Sequence, residues 1–164
     1  MFNKEEDYYF LTYNTLLILN ELECVSREKS FWDYRKLIYL IQFISDTSKL
    51  NIIINKKILN EEDIHILQEI YINSTLKMKL YRTILFALEN QGFIHLDRNS
   101  KRNSIDVWLD TSRISTKFLN LELFDIEIKN VRELKKQIAK IRTIKSGTLL
   151  NKIFTEKGVI AWDV

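Results

Sequence analysis

The chain has 164 residues, enough for one domain or for one small domain with a helical extension. Hydrophobic residues make up 46% of it and charged residues 29%, which is typical of a soluble globular protein with an ample core. Proline is absent and there are only three glycines, so long helices are expected. The net charge of +3 is too small to indicate nucleic-acid binding by itself.

The charge is unevenly distributed along the chain. Residues 1–73 contain 8 lysines and arginines against 12 acidic residues, whereas residues 74–164 contain 17 against 10. An acidic first half and a basic second half suggest two faces that meet different partners. An equally good interpretation is that the basic residues are the solvated sides of helices.

Cysteine usage and hydropathy indicate a cellular compartment. The single Cys24 excludes an intramolecular disulfide and suits a reducing environment. The first residues lack the basic and apolar segments of a secretory signal. The apolar runs, such as residues 16–19, are far shorter than the ~20 residues that span a bilayer. These features predict a soluble, cytoplasmic protein with no membrane partner.

Apolar spacing predicts two helices at the start of the chain. The first covers residues 5–22, and its wide apolar stripe indicates burial on more than one side. The second covers residues 31–46, with Ser30 as its N-cap and Asp33 completing a capping box. It is apolar nearly all round, which predicts a place in the core. The side chains expected to be solvated there are Arg35, Lys36 and Gln42.

The next segment leaves one question open. Residues 51–55, NIIIN, are β-branched and compatible with a short strand that completes a three-stranded sheet with a later hairpin. Asn60 then predicts the N-cap of a further helix, whose first turn holds three acidic residues that favour the positive end of the helix dipole. A break near residues 73–75 separates this helix from the next.

Residues 76–109 are the most informative segment. A helix is predicted over residues 76–91, with a stop at Gly92, followed by two strands, FIHLD and IDVWL, around the basic tip RNSKRNS. At 100° per residue the predicted buried face comprises Leu80, Ile84, Ala87 and Leu88. The predicted outward face comprises Lys79, Arg82, Thr83, Phe86, Glu89 and Asn90. A helix followed by a β-hairpin is the closing half of a winged helix.

Beyond residue 110 the pattern is helical again. A short helix is predicted within residues 112–120, a lysine-rich amphipathic helix over residues 126–145, and a last helix over residues 147–156. The apolar stripe of the long helix is Ile128, Val131, Leu134, Ile138 and Ile141. The predicted fold is therefore mainly α with a small β-hairpin. It consists of a winged-helix-like domain, residues 1–110, and additional C-terminal helices, residues 111–164, packed on it as one compact unit.

The sequence contains no pattern of catalytic residues. His65 and His95 lie on different predicted elements, no Cys/His spacing suits zinc, and three glycines cannot build a phosphate-binding loop. The acidic triplet at residues 61–63 is better explained by helix capping than by metal binding. We therefore expect no enzymatic activity, no cofactor, no metal and no small-molecule substrate.

Binding surfaces remain as the expected function class. Candidate nucleic-acid contacts lie on the outward face of the 76–91 helix and at the hairpin tip: Lys79, Arg82, Arg98, Lys101 and Arg102. Candidate partner contacts are the aromatic residues Phe86, Tyr9, Phe10 and Trp162. DNA contact, a protein interface and simple solvent exposure are all open for the outward face. The lysine-rich side of the 126–145 helix is better explained as solvated.

Three features together resemble a known family: the apolar first helix, the RKLIYLIQFISD pattern of the second, and LYRTILFALENQGFIHLD leading into a basic hairpin. They are similar to the middle component of ABC three-component systems, which include the Lamassu-type bacterial defence systems. The resemblance covers most of the chain. It implies a non-catalytic, winged-helix-like accessory subunit that bridges a coiled-coil SMC/Rad50-like ATPase and an effector nuclease in an antiviral complex. The alternatives are a dimeric winged-helix DNA-binding transcriptional regulator and an antitoxin-like protein.

Overall fold

The computed structural model describes residues 4–120 and 122–160. In chain order the elements are α1 (Lys4–Glu21), α2 (Arg35–Ile44), α3 (Thr47–Ile54), α4 (Glu61–Leu76), α5 (Met78–Asn90), β1 (Ile94–Asn99), β2 (Ser104–Leu109), α6 (Thr116–Leu119), α7 (Asp125–Gln137) and α8 (Ser146–Ile153). Short 3₁₀ turns cover Glu122–Phe124 and Thr155–Lys157. The described chain is mainly helical with a two-stranded antiparallel hairpin, which confirms that part of the predicted fold class.

Helix α2 lies in the centre of the core, packed against α1, α3, α4, α5, α7 and α8. Its side chains are buried on nearly every side, as its apolar composition predicts. Aromatic rings close the core on the α4 side, where the Phe154 ring lies 5.7 Å from Tyr39 and 5.3 Å from Tyr71. Burial of one large apolar side chain contributes about 1.5–3 kcal/mol, so the fold depends heavily on α2.

The chain before α2 is extended rather than helical. Phe31 pairs with Val107 of β2 through two backbone hydrogen bonds, at 2.8 Å from the Phe31 N–H and 3.0 Å from the Val107 N–H. Asp33 then has a φ of 64°, and α2 begins only at Arg35. The predicted capping box of Ser30 and Asp33 is therefore wrong, because pairing with a strand distant in the sequence overrides the local signal.

Residues 51–54 are the end of α3, so their interpretation as a sheet strand is wrong. Asp46 caps this helix, since its carboxylate accepts a hydrogen bond from the Ser48 N–H at 2.9 Å. Leu50 and Ile52 are buried. The cap and this burial outweigh the strand preference of the β-branched residues.

Helix α4 begins as predicted. Asn60 Oδ1 accepts a hydrogen bond from the Asp63 N–H at 2.8 Å, and the Asp63 carboxylate accepts one from the Asn60 N–H at 3.1 Å, which completes a capping box. The break before α5 falls at Lys77 rather than at residues 73–75. Lys77 forms an ion pair with Asp7 of α1 at 3.0 Å, which ties the break to the first helix.

The stop at Gly92 and the hairpin after it are confirmed. Gly92 has a φ of 80°, a left-handed conformation that glycine adopts without strain. In the hairpin His95 lies opposite Trp108. Glu89 turns toward β1, since its carboxylate accepts a hydrogen bond from the Leu96 N–H at 2.6 Å. Its predicted place on the outward face of α5 is therefore wrong.

The buried face of α5 is rotated from the predicted one. It comprises Tyr81, Ile84, Leu85 and Leu88, whereas Leu80 is exposed. The rotation follows from Tyr81, whose hydroxyl lies 2.7 Å from the Thr15 hydroxyl inside the core. A buried tyrosine whose hydroxyl has a hydrogen-bond partner is more favourable on this face of α5 than Leu80. The spacing of apolar residues along the helix alone cannot predict that partner.

Helix α7 packs against α1, α2 and α3, so the described parts of residues 1–110 and 111–164 share one core; the division at residue 110 stays a prediction. The predicted apolar stripe of α7 is buried through to Ile141. The helix itself ends at Gln137, and the residues that follow form a turn in which Lys140 has a φ of 55°. The predicted continuous helix to residue 145 is therefore wrong.

This turn is held by a lysine from α2. Lys36 is 0% exposed, and its Nζ donates hydrogen bonds to the carbonyl oxygens of Ile141 at 3.0 Å, Arg142 at 3.2 Å and Ile144 at 2.7 Å. The same Nζ lies 4.4 Å from the centre of the Phe31 ring. The expectation of a solvated Lys36 is wrong, because the turn after α7 supplies the polar partners that allow burial of an amine.

Candidate nucleic-acid interface

A groove of about 250 Å³ lies between α5, the hairpin and the start of α2. Three arginines line it, one from each element: Arg82 of α5, Arg98 of β1 and Arg35 of α2. The other lining residues are Tyr34, Asn103, Ser104 and Ile105. We call this surface the basic groove. It brings together two of the predicted nucleic-acid contacts, Arg82 and Arg98.

The three arginines differ in whether a carboxylate binds their guanidinium group. Arg35 binds Asp33, with Nε and Nη2 donating to the two carboxylate oxygens at 2.8 and 2.7 Å. This hydrogen bonding raises the pKa of Arg35 above its ordinary value. Arg82 and Arg98 are exposed and have no carboxylate within ion-pair distance in the described part of the chain; the Arg82 guanidinium lies 5.6 Å from the centre of the Phe86 ring. Two unneutralised arginines therefore face one groove.

A second pocket, of about 390 Å³, continues the basic groove past Arg35 and Ser104, which line both. Lys101 at the hairpin tip and Lys145 before α8 add two exposed cations. Neither has an ion-pair partner among residues 4–120 and 122–160. Lys145 is not among the predicted contacts, because no local pattern places the turn before α8 beside the hairpin.

Arg102, a predicted nucleic-acid contact at the hairpin tip, is held by contacts with Trp32 and Asp106. Its guanidinium carbon lies 3.6 Å from the centre of the Trp32 ring, and Nη2 donates to the Asp106 carboxylate. Asp106 is buried and also accepts hydrogen bonds from the Asp33 N–H and the Ser104 hydroxyl, both at 3.1 Å. Asp106 neutralises Arg102, which leaves less of its charge for a phosphate.

The outward face of α5 presents Lys79 and Phe86 to solvent, as predicted. Thr83 is less available, because its hydroxyl donates to the Lys79 carbonyl at 3.2 Å. Asn90 is exposed at the end of the helix. The face therefore offers cations for phosphates and few free polar groups for base edges.

A separate groove of about 350 Å³ lies between α1, the end of α5 and the segment that leads into α6. Its apolar and aromatic walls are Tyr8, Tyr9, Tyr13, Leu16, Leu88, Phe93, Ile114 and Phe118. Its other lining residues are Thr12, Gln91, Arg113 and Ser115. We call this surface the aromatic groove. Tyr9, a predicted partner contact, is 57% exposed at it, with its ring stacked 6.3 Å from that of Tyr13.

The other predicted partner contacts are elsewhere. Phe10 is half-buried against the core, and Phe86 lies beside Arg82 on α5. Trp162 lies outside the described residues. Sequence reasoning missed Arg113 and Phe118, because the segment between β2 and α6 carries no periodic pattern that links it to α1.

Several reactive side chains outside the grooves take part in structural contacts. His95 Nε2 lies 2.9 Å from the Asp110 carboxylate, and the His95 ring stacks on Trp108. The Cys24 thiol is buried, which raises its pKa to about 12. In the described ranges, residues 4–120 and 122–160, no group of three or more His, Cys, Asp or Glu side chains could hold a metal ion.

Comparison with protein-family models, with curated proteins and with solved structures finds no match for this chain. The resemblance to the middle component of ABC three-component systems stays a prediction. Of the helices that the structure describes, none alone has the length and hydropathy to cross a bilayer. Helices α2 and α3 pass that test only as a pair bent by 109°, and by length and composition alone.

Proposed function

We propose that this chain is a non-catalytic nucleic-acid-binding module of winged-helix-like build, and that its basic groove contacts the backbone of duplex DNA. The observation that carries the proposal is the pair Arg82 and Arg98. They come from different elements, face the same groove and lack a carboxylate partner in the described part of the chain. Cations in such a setting attract phosphates and release the counterions condensed on DNA.

The order of the elements supports a winged-helix-like arrangement. The Phe31 segment, between α1 and α2, pairs with β2 as the third strand of a small sheet would. Helix α5 comes directly before the hairpin, in the place of a recognition helix, and the hairpin takes the place of the wing. Helices α3 and α4 are then additions between the first strand and the recognition helix. Lys79 and Arg82 lie on the exposed side of α5.

The same groups favour contact with the backbone over sequence recognition. Arginine and lysine bind phosphates without regard to sequence, whereas readout of base edges needs free donors and acceptors. Thr83 is bound to its own helix, which leaves Asn90 as the exposed amide of the outward face. We therefore propose affinity for duplex DNA of mixed sequence, with a strong dependence on salt.

The test is duplex binding by the isolated chain, measured by fluorescence anisotropy over a series of salt concentrations. A charge-assisted hydrogen bond is worth about 1.5–3 kcal/mol and 1.4 kcal/mol is tenfold in affinity, so Arg82→Glu with Arg98→Glu should weaken binding about hundredfold or more. The slope of log affinity against log salt should fall by about 1.8 in magnitude, since each phosphate contact contributes about 0.9.

A matched control is available on α7. Lys129→Glu with Lys135→Glu changes the net charge by the same amount at two exposed lysines that have no ion pair among the described residues. This variant should keep the affinity of the unmodified chain. Equal losses in both double variants would reduce the effect to net charge and overturn the assignment to the basic groove.

A second candidate function is the adaptor subunit that the resemblance implies, placed between a coiled-coil ATPase and an effector nuclease. The observation that favours it is the aromatic groove, where Tyr9 is 57% and Phe118 is 43% exposed. Exposed aromatic surface of this kind marks protein contacts. Co-expression with the products of the neighbouring genes should give a complex that co-elutes. Tight binding of one defined operator by the isolated chain would favour a transcriptional regulator instead.

A further inference from the structure

The aromatic groove contains an unsatisfied polar group. Thr12 is only 9% exposed, and its Oγ1 has no hydrogen-bond partner in the described structure. A buried threonine in a helix commonly donates to the carbonyl four residues earlier, as Thr15 does to Leu11 at 2.6 Å. The other buried side-chain atoms without a partner, Asn14 Oδ1 and Ser74 Oγ, belong to residues that do not line this groove. Because a buried hydroxyl without a bond is costly, the Thr12 hydroxyl is suited to a ligand.

The aromatic groove also contains a cation, Arg113. Arg113 lines the groove and is exposed, and it has no carboxylate partner among the described residues. Its guanidinium lies near Gly92, where Nε would be 3.3 Å from a Cβ at that position. An apolar groove with one free guanidinium is complementary to a ligand that combines apolar side chains with a carboxylate.

The rim of the groove indicates the size of the occupant. Tyr9 and Phe118 remain 57% and 43% exposed, and their rings extend the apolar surface beyond the pocket. Both rings line the pocket, so a small molecule within about 350 Å³ would contact their inner sides and leave the outer part of each ring in water. A polypeptide segment that crosses the groove would cover them, which adds apolar burial to the interaction.

We infer that the aromatic groove binds a hydrophobic segment of a partner protein that carries an aspartate or glutamate. Apolar side chains of the segment pack on Tyr9, Tyr13 and Phe118, the carboxylate pairs with Arg113, and a polar atom of the segment bonds the Thr12 hydroxyl. The inference rests on the adaptor role and is independent of DNA binding by the basic groove.

The test uses a displayed library of short random peptides, selected on the full chain. The expected sequences place aromatic or aliphatic residues next to Asp or Glu. The best peptide is then synthesised with a fluorescent label, together with a version in which its acidic residue is lysine. The acidic peptide should bind about tenfold more tightly or better, because a charge-assisted bond contributes that much. Selection of no acidic sequences, or equal binding of both peptides, would overturn the inference.

Two substitutions assign the binding to the groove. Arg113→Glu should abolish the preference for the acidic peptide and restore binding of the lysine version. Arg98→Glu makes the same change in net charge in the basic groove and should leave both peptides unaffected. Thr12→Val should weaken peptide binding several-fold and also raise the melting temperature, because it removes a buried hydroxyl that has no hydrogen-bond partner among the described residues. If Thr12 had only a structural role, Thr12→Val would change the melting temperature without weakening peptide binding.

The outcome is distinguishable from a failure of the adaptor role. If the chain co-elutes with the products of the neighbouring genes and Arg113→Glu, Thr12→Val leaves that complex intact, the adaptor role stands and the groove inference is overturned. If no complex forms but the acidic peptide binds with the expected charge dependence, the adaptor role is overturned, whereas binding of an acidic hydrophobic segment by the groove stands.

Discussion

The basic groove and the aromatic groove share α5 as a wall but present opposite chemistry. Arg82 lines the first and Leu88 lines the second, on different sides of the same helix. In the basic groove most of the lining is polar, and the Asp33 carboxylate neutralises the charge of one of its arginines, Arg35. In the aromatic groove most of the walls are rings and aliphatic side chains, and its guanidinium, that of Arg113, has no ion pair within residues 4–120 and 122–160.

The comparison shows that an arginine's availability to a ligand depends on whether a carboxylate of the protein already binds it. Arg35 and Arg102 belong to the basic surface by position, yet Asp33 and Asp106 hold them as parts of the structure. Arg82 lies on the same surface and has no such partner among the residues that the structure describes. We expect the paired arginines to contribute to stability and the unpaired ones to binding, which gives each class a distinct response to substitution.

The largest expected effect on stability is at Lys36, the buried lysine of α2 that holds the turn after α7. Lys36→Ala leaves the carbonyls of Ile141 and Ile144 without this donor and opens a cavity, so the free energy of unfolding should fall by about 3–5 kcal/mol. Urea denaturation followed by circular dichroism measures the change. The matched variant Lys36→Met keeps most of the volume and should lose less. A loss below about 1 kcal/mol for Lys36→Ala, typical of a surface residue, would contradict the burial of this amine.

A smaller effect separates paired from unpaired arginines. Arg102→Ala should lower the free energy of unfolding by about 1–3 kcal/mol, because it leaves the buried Asp106 carboxylate without its cation and uncovers Trp32. Arg98→Ala removes an exposed side chain with no ion pair among the described residues, so stability should change by no more than about 0.5 kcal/mol. Duplex binding should show the reverse order, with the greater loss for Arg98→Ala. If Arg102→Ala and Arg98→Ala lost the same amount of stability and the same amount of duplex affinity, the distinction between paired and unpaired arginines would be wrong.

The dependence of stability on pH gives the smallest expected effect. Burial lowers the pKa of Lys36 to about 7, a shift that Arg142 reinforces and the charges of Asp33, Cys24 and Asp106 only partly oppose. In the unfolded chain this amine titrates near 10.4, so above about pH 7 the unfolded state binds more protons than the folded state. The contribution of Lys36 to the free energy of unfolding should therefore rise with pH, by at most about 1.4 kcal/mol per pH unit.

The useful range for that measurement is about pH 7 to 8.5, because Cys24 has an opposite effect at higher pH. Its thiol has a folded-state pKa of about 12 against an ordinary value of 9.0, so stability falls as the unfolded thiol ionises. Denaturation at several pH values should show a rise for the unmodified chain and none for Lys36→Met. A slope that is unchanged in Lys36→Met would exclude this lysine as its source.

Local signals predicted those elements that depend on neighbouring residues. The capping box of Asn60 and Asp63, the stop at Gly92 and the hairpin all follow from short-range chemistry. Predictions failed where a distant segment decides the structure. Phe31 is extended because Val107 pairs with it, and Lys36 is buried because the turn after α7 provides its acceptors.

The candidate sites follow the same rule. Arg82 and Arg98 could be singled out from the sequence, since both belong to the helix–hairpin segment. Their convergence with Arg35, and the neutralisation of Arg102, depend on where Asp33 and Asp106 lie in three dimensions. The aromatic groove was not predictable as a unit, because α1, the end of α5 and the segment before α6 meet only through tertiary packing.

One measurement tests the assignment of the two grooves most directly: the affinity of the Arg82→Glu, Arg98→Glu chain for mixed-sequence duplex DNA, determined beside that of the Arg113→Glu chain at the same salt concentration. We predict a loss of about hundredfold for the first variant and an unchanged affinity for the second. Equal affinities of the two variants, whether both reduced or both unchanged, would contradict DNA binding through the basic groove.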